Sequence, residues 1–246
     1  MAKRLLDRQV SLLAYLTSAA AVYGEQGDAS LDPDLQGIDP GFLRLEACFS
    51  HEKRLEKIAA VLPRTFEILG GDQAAVVRRF TTTCPPFDIS RIENAGQFHD
   101  FLCALADGEP PLPPHLADVA ACELAIAKAR VGARERDEQE LRARNEAPKG
   151  GIRRTPGVVL LRCAYDIRPI FEDGAKDAFP ARQETLLAIA LSSDIAQPRV
   201  YELAPLIFDV LSGLDDWTDP ATFGPASEME EFVGELATHD LIEVRR

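Results

Sequence analysis

The chain is poor in everything that would announce chemistry. Its five cysteines, Cys48, Cys84, Cys103, Cys122 and Cys163, are odd in number and widely spaced, and no CxxC occurs. That spacing excludes a disulfide framework and points to reduced thiols in a cytoplasmic protein. The four histidines, His51, His99, His115 and His239, stand apart from one another and from the cysteines, so no local zinc or iron motif exists. There is no GxGxxG, no Walker loop and no GxSxG elbow. No run of about 18 uncharged apolar residues is present, which excludes a membrane span. Basic charge is scarce: 27 Lys and Arg stand against 40 Asp and Glu in 246 residues, a net −13. Such a balance opposes general nucleic-acid binding and docking on anionic lipid.

The apolar content, 46% of residues, is that of a globular chain, and the length allows one large domain or two small ones. At the N-terminus Lys3 and Arg4 precede an apolar stretch, and Ser18-Ala19-Ala20-Ala21 resembles a small-residue cleavage site. Asp7, Arg8 and Gln9 interrupt that stretch, while Leu6, Val10, Leu13, Leu16 and Ala20 recur at helical spacing. An amphipathic helix is therefore expected instead of a signal peptide.

Residues 1–133 read as a helical domain. After Asp39-Pro40 one stripe is drawn through Phe42, Leu45, Phe49, Leu55, Ile58 and Leu62, broken by Pro63. Asp72 is the expected cap of a helix carrying Val76, Val77 and Phe80, and Pro85-Pro86 stops it. Asn94 is the expected cap of a helix burying Phe98, Phe101, Leu102 and Leu105. After the stiff Pro110–Pro114 connector, Leu116, Val119, Ala120, Leu124 and Ala127 form a further stripe, with Glu123 beside it as a half-buried acid that needs a partner.

From Arg134 to Glu146 nine of thirteen residues are charged, and Pro148, Gly150, Gly151, Pro156 and Gly157 follow. This predicts a linker over 134–157, with a charged partner-contacting arm as the sharper alternative. Past Gly157 the pattern changes. Val158–Leu161, Thr185–Leu191 and Arg199–Leu203 read as three strands, the last an edge strand because Pro198 precedes it. Leu206, Ile207, Val210 and Leu211 return to helical spacing up to Gly213. Ser227 with Glu230 predicts a capping box for a helix carrying Met229, Phe232, Val233 and Leu236. The expected fold is thus mostly α: a helical domain, then a small α+β winged-helix domain over 158–246. Seven Lys and Arg and seventeen Asp and Glu put −10 of the net charge in that last segment.

An exposed sheet edge accepts an extended peptide as an added strand. The edge candidate is Arg199, Val200, Tyr201, Glu202 and Leu203; the facing helix presents Glu228, Glu231 and Glu235 beside Phe232. An acidic rim over an apolar floor suits a peptide with basic and apolar residues. The plainer reading is that Glu228, Glu230 and Glu231 simply favour a helix N-terminus. No carboxylate pair stands out as acid and base: Glu46, Glu52 and Glu56 share a helix with Lys53, Arg54 and Lys57 and read as a solvated, ion-paired face.

The three strands, then Ala204–Gly213, then Phe232-Val233-Gly234-Glu235-Leu236 leading to Leu241-Ile242-Glu243-Val244, resemble the peptide-recognition domain of ribosomal-peptide biosynthesis, which is similar to the PqqD chaperone fold. In the helical half, Leu43-Arg44-Leu45, His51-Glu52-Lys53-Arg54, Phe66–Gly70, Phe98–Leu102 and Leu116–Ala125 resemble the helical domain in partner proteins of multinuclear non-haem iron enzymes, of the 3-thiaglutamate and methanobactin pathways. The resemblance implies a non-catalytic accessory subunit with no cofactor of its own. It would hold the leader of a precursor peptide while iron in the partner enzyme acts on the peptide's cysteine. The rivals from other classes are a winged-helix transcriptional regulator, opposed by a 227–238 helix with four glutamates and no Lys or Arg, and a stand-alone metalloenzyme.

Overall fold

The structure, a computed structural model, describes residues 2–25, 31–86, 88–105, 111–140, 150–172, 179–191 and 198–245, with the side chains of 2–4, 133–140 and 226–228 outside the description. The protein is mostly helical with a small antiparallel sheet. It divides into two compact units, Met1–Ala117 and Asp118–Arg246. No helix among the described residues is long and apolar enough to cross a membrane.

The first unit is helical. It contains α1 (Ala2–Leu16), α2 (Ala19–Tyr23), α3 (Pro40–Val61), α4 (Pro63–Leu69), α5 (Gln73–Thr83) and α6 (Arg91–Leu105), and the first two residues of α7 (Leu116–Glu140). The N-terminal segment is helical, as its periodicity predicts. The Asp39 carboxylate accepts from Gly41 N at 2.7 Å and Pro40 takes the first turn, so α3 starts at its sequence signal. The core is aromatic: Phe80 meets Phe98 edge-on at 4.9 Å, and Phe66 stacks on Phe98 at 5.3 Å.

Two helix readings need correction. Along α3 the buried face is Leu43, Ala47, Arg54, Ile58 and Val61, whereas Phe42, Leu45 and Phe49 are 66%, 47% and 46% exposed. Phe49 and Ile58 are nine residues apart, about two and a half turns, so no single face holds both. The α6 helix begins at Arg91, three residues before its expected cap. Asn94 lies inside it and is buried. The start is organised instead by Ser90, whose Oγ accepts from Glu93 N at 3.5 Å and whose own N–H donates to Asp88 Oδ1 at 2.6 Å. Asp72 does precede α5, but its side chain makes no capping bond.

In the second unit β2 (Val159–Cys163), β3 (Thr185–Leu191) and β4 (Pro198–Glu202) form an antiparallel sheet in the order β2-β3-β4, with the short helix α8 (Arg168–Phe171) between β2 and β3 in the chain. Leu161 faces Leu187, and Ala188 faces Tyr201. One sheet face, with Leu186, Ala188 and Ala190, packs with Leu211 of α9 (Pro205–Ser212) and Leu236 of α10 (Ala226–Thr238). The opposite face buries Thr185, Leu187 and Ile189. Alternation puts Cys163 on that face, where it neighbours Cys122 of α7.

The α7 helix continues through 134–140, into the span expected as linker, and is anchored to this unit. Asp118 Oδ2 accepts from Tyr165 N at 2.9 Å. A Cβ on Gly132 would lie 2.5 Å from Gly157 Cα, so only a glycine permits that approach, and Gly157 itself has φ +89°. The rest of the expected linker holds β1 (Ile152–Arg154), which pairs with β5 (Ile242–Val244), while 141–149 lie outside the described residues. An Arg153–Glu243 ion pair at 2.6 Å joins the two strands, and Arg153 lies 4.7 Å over the Trp217 ring. The α10 helix starts at Ala226 after Pro225, so Ser227 stands within its first turn instead of capping it.

Candidate peptide-binding edge

The phase of the sheet decides which backbone groups β4 offers. Leu203 N donates to Leu186 O at 2.8 Å, and Leu203 continues the β4 register opposite Leu186. In an antiparallel ladder alternate residues face the partner strand. Tyr201 and Arg199 therefore share the Leu203 phase and turn their backbone groups toward β3. Val200 and Glu202 turn theirs outward, and Pro198 has no N–H to offer. Among the described residues, no backbone or side-chain group bonds to that outer side.

Side chains divide by face. Tyr201 and Leu203 point into the core with Ala188 and Leu236, so they form the floor and are not free to grip a ligand from above. Val200 and Glu202 lie on the opposite face. Arg199 and Glu202 are exposed, and Val200 is half-buried. The Glu202 carboxylate accepts from Arg168 Nη1, and Arg168 Nε reaches Asp166 Oδ1 at 2.7 Å. The Arg168 hydrogen bond holds the Asp166 carboxyl below the usual carboxylate range. This Asp166–Arg168–Glu202 chain fixes the downstream end of β4, and nothing in the sequence pattern around 164–171 signals it.

The Tyr201 ring meets the His239 ring at 5.3 Å and 60°. His239 N donates to Glu235 O at 3.3 Å, which keeps His239 in helical sequence with α10. Positions 228, 231, 232 and 235 fall within about 80° of His239 around the helix. The flank beside β4 is thus the one carrying exposed Glu231 and Glu235 and half-buried Phe232. Glu228 occupies a matching position, although its side chain lies outside the described residues. His239, exposed at the border of the Tyr201 floor, is the residue that sequence reading missed; one turn past Glu235, it was legible from the helical wheel. A cavity of about 350 Å³ lies on the other flank, beside Met229, Glu230 and Val233.

The thiols divide sharply. Burial pushes both Cys122 and Cys163 up to about 12, whereas Cys103 is exposed. With a thiol-reactive disulfide at pH 8, Cys103 is expected to label in the native protein, and Cys122 and Cys163 only after denaturation. Native labelling of those two at the Cys103 rate would contradict their burial. Among the described residues no three His, Cys, Asp or Glu side chains gather as a metal site. No protein-family model and no curated protein matches this chain.

Proposed function

We propose that this protein is a non-catalytic peptide-binding subunit. It takes the leader of a ribosomally made precursor as a fourth strand against β4 and presents the cysteine-containing core to an iron-dependent partner enzyme. The observation that carries the reading is the outward edge of β4, whose Val200 and Glu202 backbone groups have no partner among the described residues. The acidic flank of α10 beside it suits a leader with basic and apolar residues. Three antiparallel strands followed by α9 and α10 agree with the winged-helix, PqqD-like arrangement implied by the resemblance. Tethering a leader replaces a dilute encounter at the enzyme by an intramolecular one, at effective concentrations of the order of millimolar for a short flexible tether.

Titration calorimetry of the full chain with precursor leader peptide, alone and with the partner enzyme, tests this reading. Binding in neither setting would overturn it. Val200→Pro removes an outward donor and leaves the β3–β4 ladder bonds in place, so it is expected to weaken the leader about tenfold, roughly 1.4 kcal/mol. Arg162→Pro removes the equivalent donor from the outer edge of β2 and is expected to leave affinity unchanged. An effect at 162 and none at 200 would move the binding edge to β2.

A further inference from the structure

The first unit holds a cavity of about 590 Å³ that the peptide-edge reading does not use. Its volume is that of an ordinary small-ligand site. Leu13, Leu16 and Val22 line it from the N-terminal helices, and Ile89 stands at the segment before α6. Leu13 and Ile89 are large apolar residues left mostly exposed.

The charge of the lining runs against that of the chain. Lys53, Arg54 and Lys57 contribute three cations from consecutive turns of α3, and Asp88 is the one carboxylate in the described lining. Asp88 Oδ1 is already engaged by Ser90 N. Lys57 donates one of its three protons to Ile89 O at 3.0 Å, and no carboxylate among the described residues pairs with Lys53 or Lys57.

Arg54 is the stronger observation. Its guanidinium is buried, yet all its partners are neutral: Asn94 Oδ1 at 2.8 Å, Cys84 O at 2.9 Å, Gln97 Oε1, and the Phe80 ring at 4.5 Å. Buried charges are ordinarily met by an opposite charge. Here each guanidinium nitrogen donates one hydrogen bond to a neutral acceptor and the charge is not neutralised, so its field is left on the cavity wall. His51, also in the lining, has its pKa lowered by burial and by Arg54 and so is held in its neutral form.

We propose that this cavity binds a small amphipathic anion, its apolar body against Leu13, Leu16 and Val22 and its anionic group turned to the Lys53–Arg54–Lys57 side. The site stands independently of peptide binding at β4.

The test titrates the full chain, at low salt and neutral pH, with 4-phenylbutyrate, with its neutral amide and with inorganic phosphate. The acid is expected to bind saturably, and the amide and phosphate at least tenfold more weakly. Arg54 is part of the interior, so the exposed lysines carry the mutational arm. Lys53→Gln with Lys57→Gln is expected to leave the melting temperature unchanged and weaken the acid at least tenfold without affecting the amide. The proposal falls if acid and amide bind alike, if phosphate alone binds as well as the acid, if the acid does not bind, or if the lysine variant binds it unchanged.

Discussion

Replacing Phe98 by alanine is expected to destabilise the first unit by about 4 kcal/mol, in the range of buried Phe→Ala changes. Phe98 is fully buried, and its ring touches three others: Phe66 at 5.3 Å, Phe80 at 4.9 Å and Phe101 at 6.1 Å. Truncation removes burial and three ring contacts together, and α3 and α6 cannot close over the gap without moving Arg54, which rests on Phe80. Phe42→Ala supplies the comparison: this ring is mostly exposed, and its loss is expected to stay within about 0.5 kcal/mol. Urea unfolding followed by amide exchange in α6 measures both. Equal costs at 98 and 42 would show that the core is wrongly placed.

The contrast between those two phenylalanines marks what periodicity conveys. On α6 one apolar stripe exists, so Phe98, Phe101, Leu102 and Leu105 were legible as core. On α3 two stripes exist, on opposite sides, and spacing alone does not say which one the rest of the chain covers. The strand at 185–191 was legible to the residue because both its faces are buried and its apolar run is continuous. The β1–β5 pair was not, since Ile152-Arg153-Arg154 is three residues long and set among glycines and charges. Its pairing depends on a segment ninety residues away.

The candidate edge was legible as a strand and as an edge because Pro198 cannot donate to a ladder on either side. Which residues of β4 offer backbone, and which are floor, was not: phase depends on the Leu203–Leu186 bond and shifts all the assignments if it slips by one residue. Likewise the cationic cavity was hidden. In sequence Lys53, Arg54 and Lys57 read as one salt-bridged surface with Glu46, Glu52 and Glu56, and only the fold turns Arg54 inward, away from those acids.

Arg54 and Asn94 are expected to behave as one unit. Asn94→Leu removes the acceptor from Arg54 Nε and leaves a buried cation short of one hydrogen bond. It also removes the Asn94 Nδ2 bonds to Asp88 O at 2.9 Å and Ser90 O at 2.7 Å that hold the entry to α6. That combination is expected to cost about 4 kcal/mol, as for a broken buried polar network. Arg54→Met leaves Asn94, Gln97 and the Cys84 carbonyl without their donor, but it also removes a charge that burial disfavours, as the lowered pKa of Arg54 reflects. Its expected cost is smaller, about 2 kcal/mol. In the double variant the orphaned donor and acceptor vanish together, so its cost is expected to fall short of the sum by more than about 1 kcal/mol. Urea unfolding of the four proteins completes the cycle. Strict additivity would mean that the 2.8 Å contact couples nothing, and the guanidinium would then owe its buried position to the Phe80 ring and the Cys84 carbonyl instead.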